Sequence, residues 1–221
     1  MIRALIFDFD GLILDTEVPE FQSWQEIYHA YGCTLPLPVW AAGIGTTGGF
    51  DPYAYLETQL GHTVDRVAVH AQRRQRCDTL ITAQAVLPGV LDYLTAAQHL
   101  GLHLGVASSS SRAWVHGHLT RLALHGHFHC IRCRDDVGRP KPDPALYQAV
   151  LDALGVQPQE AVALEDSPHG IAAAKQAGLF CVAVPNPLTR QLSLAQADLQ
   201  LTSLAALPLP SLLHAMQQGG V

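Results

Sequence analysis

Lysine is almost missing from this chain: of 221 residues only Lys141 and Lys175 are lysines, and 13 basic side chains face 19 acidic ones, for a formal net charge of −6. So little positive charge leaves no basic face for phosphate-rich polymers, so no nucleic-acid partner is expected. No apolar run approaches the roughly 20 residues that cross a bilayer, so no membrane partner is expected either. The N-terminal apolar run is interrupted by Asp8 and Asp10, so it is not expected to be a secretory signal. The five cysteines are odd in number and scattered, as reduced thiols of a cytoplasmic protein would be. Internal repeats and low-complexity linkers are absent. So is a G-x-S-x-G elbow, which argues against a serine nucleophile in the run Ser108–Ser111. The stretch HGHFHCIRC groups His125, His127, His129, Cys130 and Cys133, but there is no second C-x-x-C to complete a zinc site. Gly43, Gly45 and Gly48 do not follow a strand, as a dinucleotide fingerprint requires.

What is present is hydrophobic and rhythmic. Apolar residues make up 48% of the chain, enough for one domain with a large core or one with an insertion. Strand-like runs at 4–7, 102–107, 129–133, 161–164 and 180–184 are nearly continuous in hydrophobicity, as in parallel strands covered on both faces. Helical spacing appears at 90–100, at 144–154 with Asp143 as N-cap, and at 168–177, each closed by a glycine. Strands alternating with helices imply an α/β protein with a parallel, Rossmann-like sheet. Residues 15–81 break the rhythm. Helices are expected at 19–31, where Phe21, Trp24, Ile27, Tyr28 and Tyr31 share a face, and after Asp51-Pro52. A third is expected over 64–81, with Val64, Val67, Ala71 and Leu80 inward. This reads as an all-helical insertion after the first strand. The expected division is a core of 1–14 and 84–221 and a helical cap of 15–83, hinged near 15–17 and 82–87.

Ligands of open α/β sheets bind beyond the carboxyl ends of the strands. Asp8 and Asp10 follow the first run, on the same side of an extended chain and about 6–7 Å apart. Ser108 follows the second, Lys141 lies in the loop after the third, and Glu165 and Asp166 follow the fourth. A buried carboxylate without a partner costs several kcal/mol, so these acids need an offsetting charge. Converging carboxylates suit a hard cation such as Mg²⁺. A serine hydroxyl, helix N-terminal amides and a lysine suit a phosphate group.

The four segments DFDGLILDT, ASS, KPDP and LEDS, in this order, resemble the four motifs of the haloacid dehalogenase-like superfamily. The likeness extends over essentially the whole chain and is nearest the helical-cap branch that includes sugar-phosphate phosphatases and beta-phosphoglucomutase. The resemblance implies Asp8 as nucleophile, forming an aspartyl-phosphate, and Asp10 as general acid and base. It implies Mg²⁺ held by the Asp8 side chain, the Asp10 backbone carbonyl and Asp166, with Glu165 beside them or as a further ligand. Ser108, Ser109 and Lys141 would hold the phosphoryl oxygens. Dehalogenases of the superfamily lack the second acid, so Asp10 favours phosphoryl transfer.

The expected function is therefore hydrolysis of a small phosphorylated metabolite, such as a sugar phosphate, by a monomer or weak dimer. A mutase of the beta-phosphoglucomutase type is the alternative, although Glu20 stands near that branch's histidine and loop 43–49 lacks its arginine. A non-catalytic protein that binds a phosphometabolite is the third reading. Substrate-facing candidates in the cap are Glu17, Glu20, Gly45, Thr46 and Arg74. The row Arg73, Arg74 and Arg76 is otherwise expected to be a solvated helix face.

Overall fold

The structure, a computed structural model, describes residues 1–41, 44 and 50–218. The first strand, β1 (Ala4–Phe7), is buried along its whole length. Among the described residues five helices follow it, α1 (Glu17–Ala30), α2 (Leu37–Ala41), α3 (Pro52–Leu60), α4 (Arg66–Thr82) and α5 (Val90–His99), before the chain returns to the sheet as β2 (His103–Ala107). Strand and helix then alternate through α6 (Arg112–Arg121), β3 (Cys130–Arg132), α7 (Ala145–Leu154), β4 (Ala161–Glu165), α8 (Pro168–Gln176) and β5 (Phe180–Ala183). The chain closes with β6 (Leu199–Gln200) and α9 (Leu209–Gln217).

The six strands form one parallel sheet in the order β3-β2-β1-β4-β5-β6. The chain first builds outward from β1 through β2 to β3, then crosses to β4 on the other side. The switch point of this doubly wound sheet therefore lies between β1 and β4, where a ligand is expected beyond the strand ends.

Side chains alternate across β1, with Leu5 and Phe7 on one face and Ala4 and Ile6 on the other. The first face packs under α5, α6 and α9 through Leu94, Val115, Leu119 and Leu212. The second is covered by α7 and α8 through Tyr147, Val150 and Ile171. A third apolar cluster belongs to the helical insertion: Phe21, Trp24, Ile27 and Tyr28 of α1 meet Leu56 of α3 and Val69 of α4. Helix starts there follow from aspartate caps. The Asp51 carboxylate accepts the amides of Tyr53 and Ala54 at 2.9 and 3.2 Å, and Asp65 accepts those of Val67 and Ala68 at 3.0 Å each.

Several expectations need correction. Helix α4 buries Val69, Arg73, Cys77 and Ile81, not the face through Val64, Val67, Ala71 and Leu80; Val67 is 81% exposed. Both stripes have helical spacing, and the aromatic face of α1 selects the one that offers Arg73. Arg73 is accordingly buried and not part of a solvated face. Tyr31 lies past the end of α1 and is 40% exposed. Helix α7 starts at Ala145 with Pro144 at its N-cap, one residue later than expected, while the Asp143 carboxylate still accepts the Ala145 amide at 3.0 Å. Strand β6, only two residues long, has too short a pattern to show in the sequence. Cys130 and Cys133 belong to opposite layers of the core, so they form no chelating pair.

Candidate active site

The end of β1 points Asp8 toward the end of β4, and the loop after β3 brings Lys141 between them. Its ammonium donates to Asp8 Oδ1 and to Glu165 Oε1, each at 2.6 Å, and is itself 3% exposed. Glu165 has no exposure. The Tyr147 hydroxyl donates to the same Oε1 at 2.5 Å and the Asp166 amide to Oε2 at 3.2 Å. The Lys141 ammonium also lies 5.1 Å above the Tyr147 ring, a cation–π contact. Asp166 is held in turn by Asn186, whose Nδ2 donates to its Oδ2 at 2.8 Å. Two glycines leave room for this packing. A Cβ on Gly170 would lie 1.9 Å from Glu165 Oε2, and one on Gly11, at φ +80°, would lie 2.3 Å from Asp166 Oδ2.

Electrostatics follow from the burial. Desolvation pushes the Asp8 carboxyl up to about 7, with Lys141 pulling it down and Glu165 and Asp10 adding to the rise. Asp166 is driven well above the usual carboxylate range by burial and then by Asp8 and Glu165. Burial pulls the Lys141 ammonium down, but Asp8 and Glu165 outweigh it and hold the group above its ordinary value. Asp8, Glu165 and Asp166 each offer an oxygen within 4.8 Å of the others. Three acidic groups converge on one ammonium, so ionising all three leaves two negative charges for a divalent cation to balance. Oxygen donors of this kind fit Mg²⁺. Both oxygens of Glu165 are already engaged by protein donors, so Asp8 and Asp166 are the freer ligands.

The Asp10 carboxylate stands apart from that cluster. Its Oδ1 accepts from Thr16 Oγ1 at 2.8 Å and from Trp114 Nε1 at 2.9 Å. Its Oδ2 accepts from Ser110 Oγ at 2.6 Å and lies 3.4 Å from Ser108 Oγ. Ser108 is buried, and the Ser109 hydroxyl accepts the Lys141 amide at 3.3 Å.

These groups open onto a cavity of about 550 Å³. Asp8, Asp10, Lys141, Asp166 and Ser109 line it from the sheet side, and Glu17, Glu20 and Arg74 from the insertion. Burial, reinforced by Glu20, Asp10 and Asp8, pushes the Glu17 carboxyl, which lines the cavity, well above the usual range. Glu20 accepts from the buried Arg73 guanidinium at 2.9 Å. Arg74 pairs with Asp78 at 3.0 Å and lies over the Trp114 ring, while Arg76 bonds Glu26 outside the cavity. Gly45 and Thr46 lie outside the described residues. Of that loop only Ile44 is described, and its carbonyl accepts from His169 Nδ1 at 3.0 Å.

A family model for haloacid dehalogenase-like hydrolases matches residues 5–184. The chain belongs to the haloacid dehalogenase-like hydrolases. Within that family it is similar to a Bacillus subtilis (strain 168) protein named "Putative phosphatase YhcW", 47% identical over 213 residues that cover 96% of this chain and 97% of the relative. It is also similar to validoxylamine A 7'-phosphate phosphatase of Streptomyces hygroscopicus subsp. limoneus, 29% identical over 95% of this chain and 98% of the relative. Among solved structures it resembles CbbY from Rhodobacter sphaeroides in complex with xylulose-(1,5)-bisphosphate, with a TM-score of 0.72 and 31% identity over 94% of this chain and 96% of the other. By family and relatives the chain is a phosphoric monoester hydrolase.

Sequence reasoning did not single out Thr16, Ser110, Trp114, Tyr147, Asn186 or Arg134, although all six touch the site or line its cavity. Asn186 stands just past β5, where the strand-end rule could have found it. Thr16 and Ser110 sit inside or beside quoted motifs. Trp114 and Tyr147 are one turn into their helices, and nothing in the linear sequence marks them.

Proposed function

We propose that this hydrolase is a Mg²⁺-dependent phosphatase that removes the phosphate of a small phosphorylated metabolite, a sugar or polyol phosphate, through a phosphoryl group carried on Asp8. The observation that carries the reading is the pair of unlike aspartates on one cavity. Asp8 is bridged to Lys141 within a carboxylate cluster, whereas Asp10 is fixed by neutral donors.

In the first step an Asp8 carboxylate oxygen attacks phosphorus, the bond to the leaving oxygen breaks, and that oxygen takes a proton from Asp10. In the second, Asp10 takes a proton from water as the water oxygen attacks phosphorus. The bond to Asp8 then breaks, releasing inorganic phosphate and restoring the Asp8 carboxylate and the protonated Asp10. Lys141 neutralises phosphoryl oxygens during each transfer, and Ser108 and Ser109 orient them. Asp8 and Asp166 would hold the magnesium ion, which supplies the positive charge that lets an anionic nucleophile meet an anionic ester. Glu165 positions Lys141.

Residues 15–83 act as the cap over a core of 1–14 and 84–221. Their Glu17 and Glu20, whose carboxyl groups line the cavity, suit the hydroxyls of a polyol. The phosphate esters named for two relatives support this class. Five free cysteines suit a reducing, cytoplasmic setting.

The test is a panel of sugar phosphates with Mg²⁺, reading both phosphate release and isomer formation. Phosphate release is expected, falling about a thousandfold or more in Asp8→Asn. Chelation should stop it and Mg²⁺ restore it. Turnover that survives both changes overturns the mechanism. Net isomerisation primed by a bisphosphate would replace the phosphatase reading with the mutase one.

A further inference from the structure

The chain after β3 forms a short turn, Arg134-Asp135-Asp136, that the reaction above does not use. Two aspartates beside an arginine would ordinarily neutralise it, but here both are engaged elsewhere. Asp135 Oδ2 accepts the Arg112 amide at 2.5 Å. Asp136 accepts the Cys133 amide at 2.8 Å and pairs with the Arg112 guanidinium. The Arg134 amide donates to the Ser110 carbonyl at 3.0 Å, which pins the turn against the residue whose hydroxyl holds Asp10. Arg134 itself is exposed and lines the cavity. Among the described residues its guanidinium has no hydrogen-bond acceptor, ion-pair partner or aromatic ring.

The other cations of the cavity are committed. Lys141 is bound between Asp8 and Glu165, and Arg74 pairs with Asp78 and covers the Trp114 ring. Against them stand Asp8, Asp10, Glu17, Glu20 and Asp166. A phosphate monoester carries nearly two negative charges at neutral pH, so a wall of acids repels it before it reaches Lys141. A guanidinium at the rim offsets that repulsion, and its forked donors match phosphate oxygens.

We propose that Arg134 is a specificity-determining residue that captures the phosphate group of the ester at the cavity rim and so selects anionic metabolites. The inference rests on the phosphatase reading above for the nature of the ligand. No bond forms or breaks at Arg134. It attracts the ester equally in the ground and transition states, so it acts on KM and leaves kcat alone.

The experiment compares wild type with Arg134→Gln, Arg134→Glu and Arg134→Lys, with Mg²⁺ present, at low and at high ionic strength. It reads kcat and KM for the best ester of the panel and, by calorimetry, the Kd of inorganic phosphate. Arg76→Gln makes the same change in net charge outside the cavity and serves as the control. At low salt Arg134→Gln should weaken both the ester and phosphate about three- to tenfold, with kcat unchanged. Arg134→Glu should weaken them further, and Arg134→Lys should stay near wild type. In about 0.5 M salt the differences should largely vanish, which a merely structural role would not produce. An Arg134→Gln variant that matches Arg76→Gln at low salt overturns the proposal. So does a lysine variant as impaired as the glutamine one, or a deficit that salt leaves untouched. A wild type that binds phosphate but turns over no ester overturns the phosphatase reading alone, because the calorimetric comparison still decides the role of Arg134. A wild type that does neither overturns both.

Discussion

Ion pairs at the sheet ends and ion pairs in the helical insertion have opposite designs. Lys141, Asp8 and Glu165 are packed out of water, and their side chains are 3%, 10% and 0% exposed. The insertion pairs Arg66 with Glu57, Arg74 with Asp78 and Arg76 with Glu26, and each of those arginines is 43–48% exposed. Burying ions costs several kcal/mol apiece and is only partly recovered by pairing, so the first set weakens the fold it sits in. The second set is nearly neutral energetically. The buried set lies at the cavity, where phosphoryl chemistry needs charge.

The most severe way to break this contrast is Lys141→Met. The substitution keeps the bulk but leaves Asp8, Glu165 and Asp166 without their ammonium, so urea unfolding in the metal-free protein should show a loss of about 3–5 kcal/mol. The loss should shrink in acid, where the orphaned acids take up protons. The wild type should show the milder form of the same behaviour. Asp8 is raised to about 7 in the folded protein, so folding binds a proton between the unfolded value, about 3.9, and that point. Its contribution to stability is therefore present below the unfolded value and is lost as pH rises toward 7. A Lys141→Met variant as stable as wild type at neutral pH would show that burial there is not costly, and the contrast would dissolve.

The same contrast governs what could be read in advance. Strands β1, β2, β4 and β5 lie within a residue of their expected limits because buried parallel strands are apolar throughout and bounded by the polar residues of the strand ends. For the same reason Asp8, Glu165 and Asp166 were legible, as charges at the end of apolar runs, and Lys141 stood out as one of two lysines, in the loop after β3. Amphipathic helices of the insertion carry less information. In α4 two stripes were possible, and only the position of α1 decides that Arg73 points inward. Trp114 and Asn186 act on Asp10 and Asp166 from 104 and 20 residues away, a relation that exists only once the chain is folded.

Arg73 is the intermediate case, a buried cation inside the otherwise lightly charged core of the insertion. It reaches the half-exposed Glu20 at 2.9 Å and lies 5.2 Å over Trp24, while its buried Nε makes no hydrogen bond among the described residues. That unpaired N–H offsets part of what the other contacts contribute. Arg73→Met should therefore cost about 1–3 kcal/mol, less than Lys141→Met. Glu20 then loses the partner that orients it toward the cavity. KM for the sugar phosphate should rise while kcat holds, the signature of lost uniform binding. A fall in kcat at unchanged KM would place Arg73 with the catalytic set and blur the boundary between the two regions.

The smallest effect belongs to the exposed pair Arg76–Glu26. Glu26 sits below its ordinary value because Arg76 donates to it at 2.8 and 3.0 Å, with a smaller contribution from Gln22. A depressed carboxylate stabilises the fold above its unfolded value, about 4.3, and that contribution is lost as pH falls through the lower, folded value. Solvent and salt screen the pair, so Arg76→Ala should lower the melting temperature by about 1 °C at pH 7. In 1 M salt the two melting curves should coincide, and they should coincide again in acid. Activity should not change, since neither side chain lines the cavity. A drop as large as that of Arg73→Met would mean the rim pairs hold the insertion together, and exposure would no longer separate the charges that support chemistry from those that merely face water.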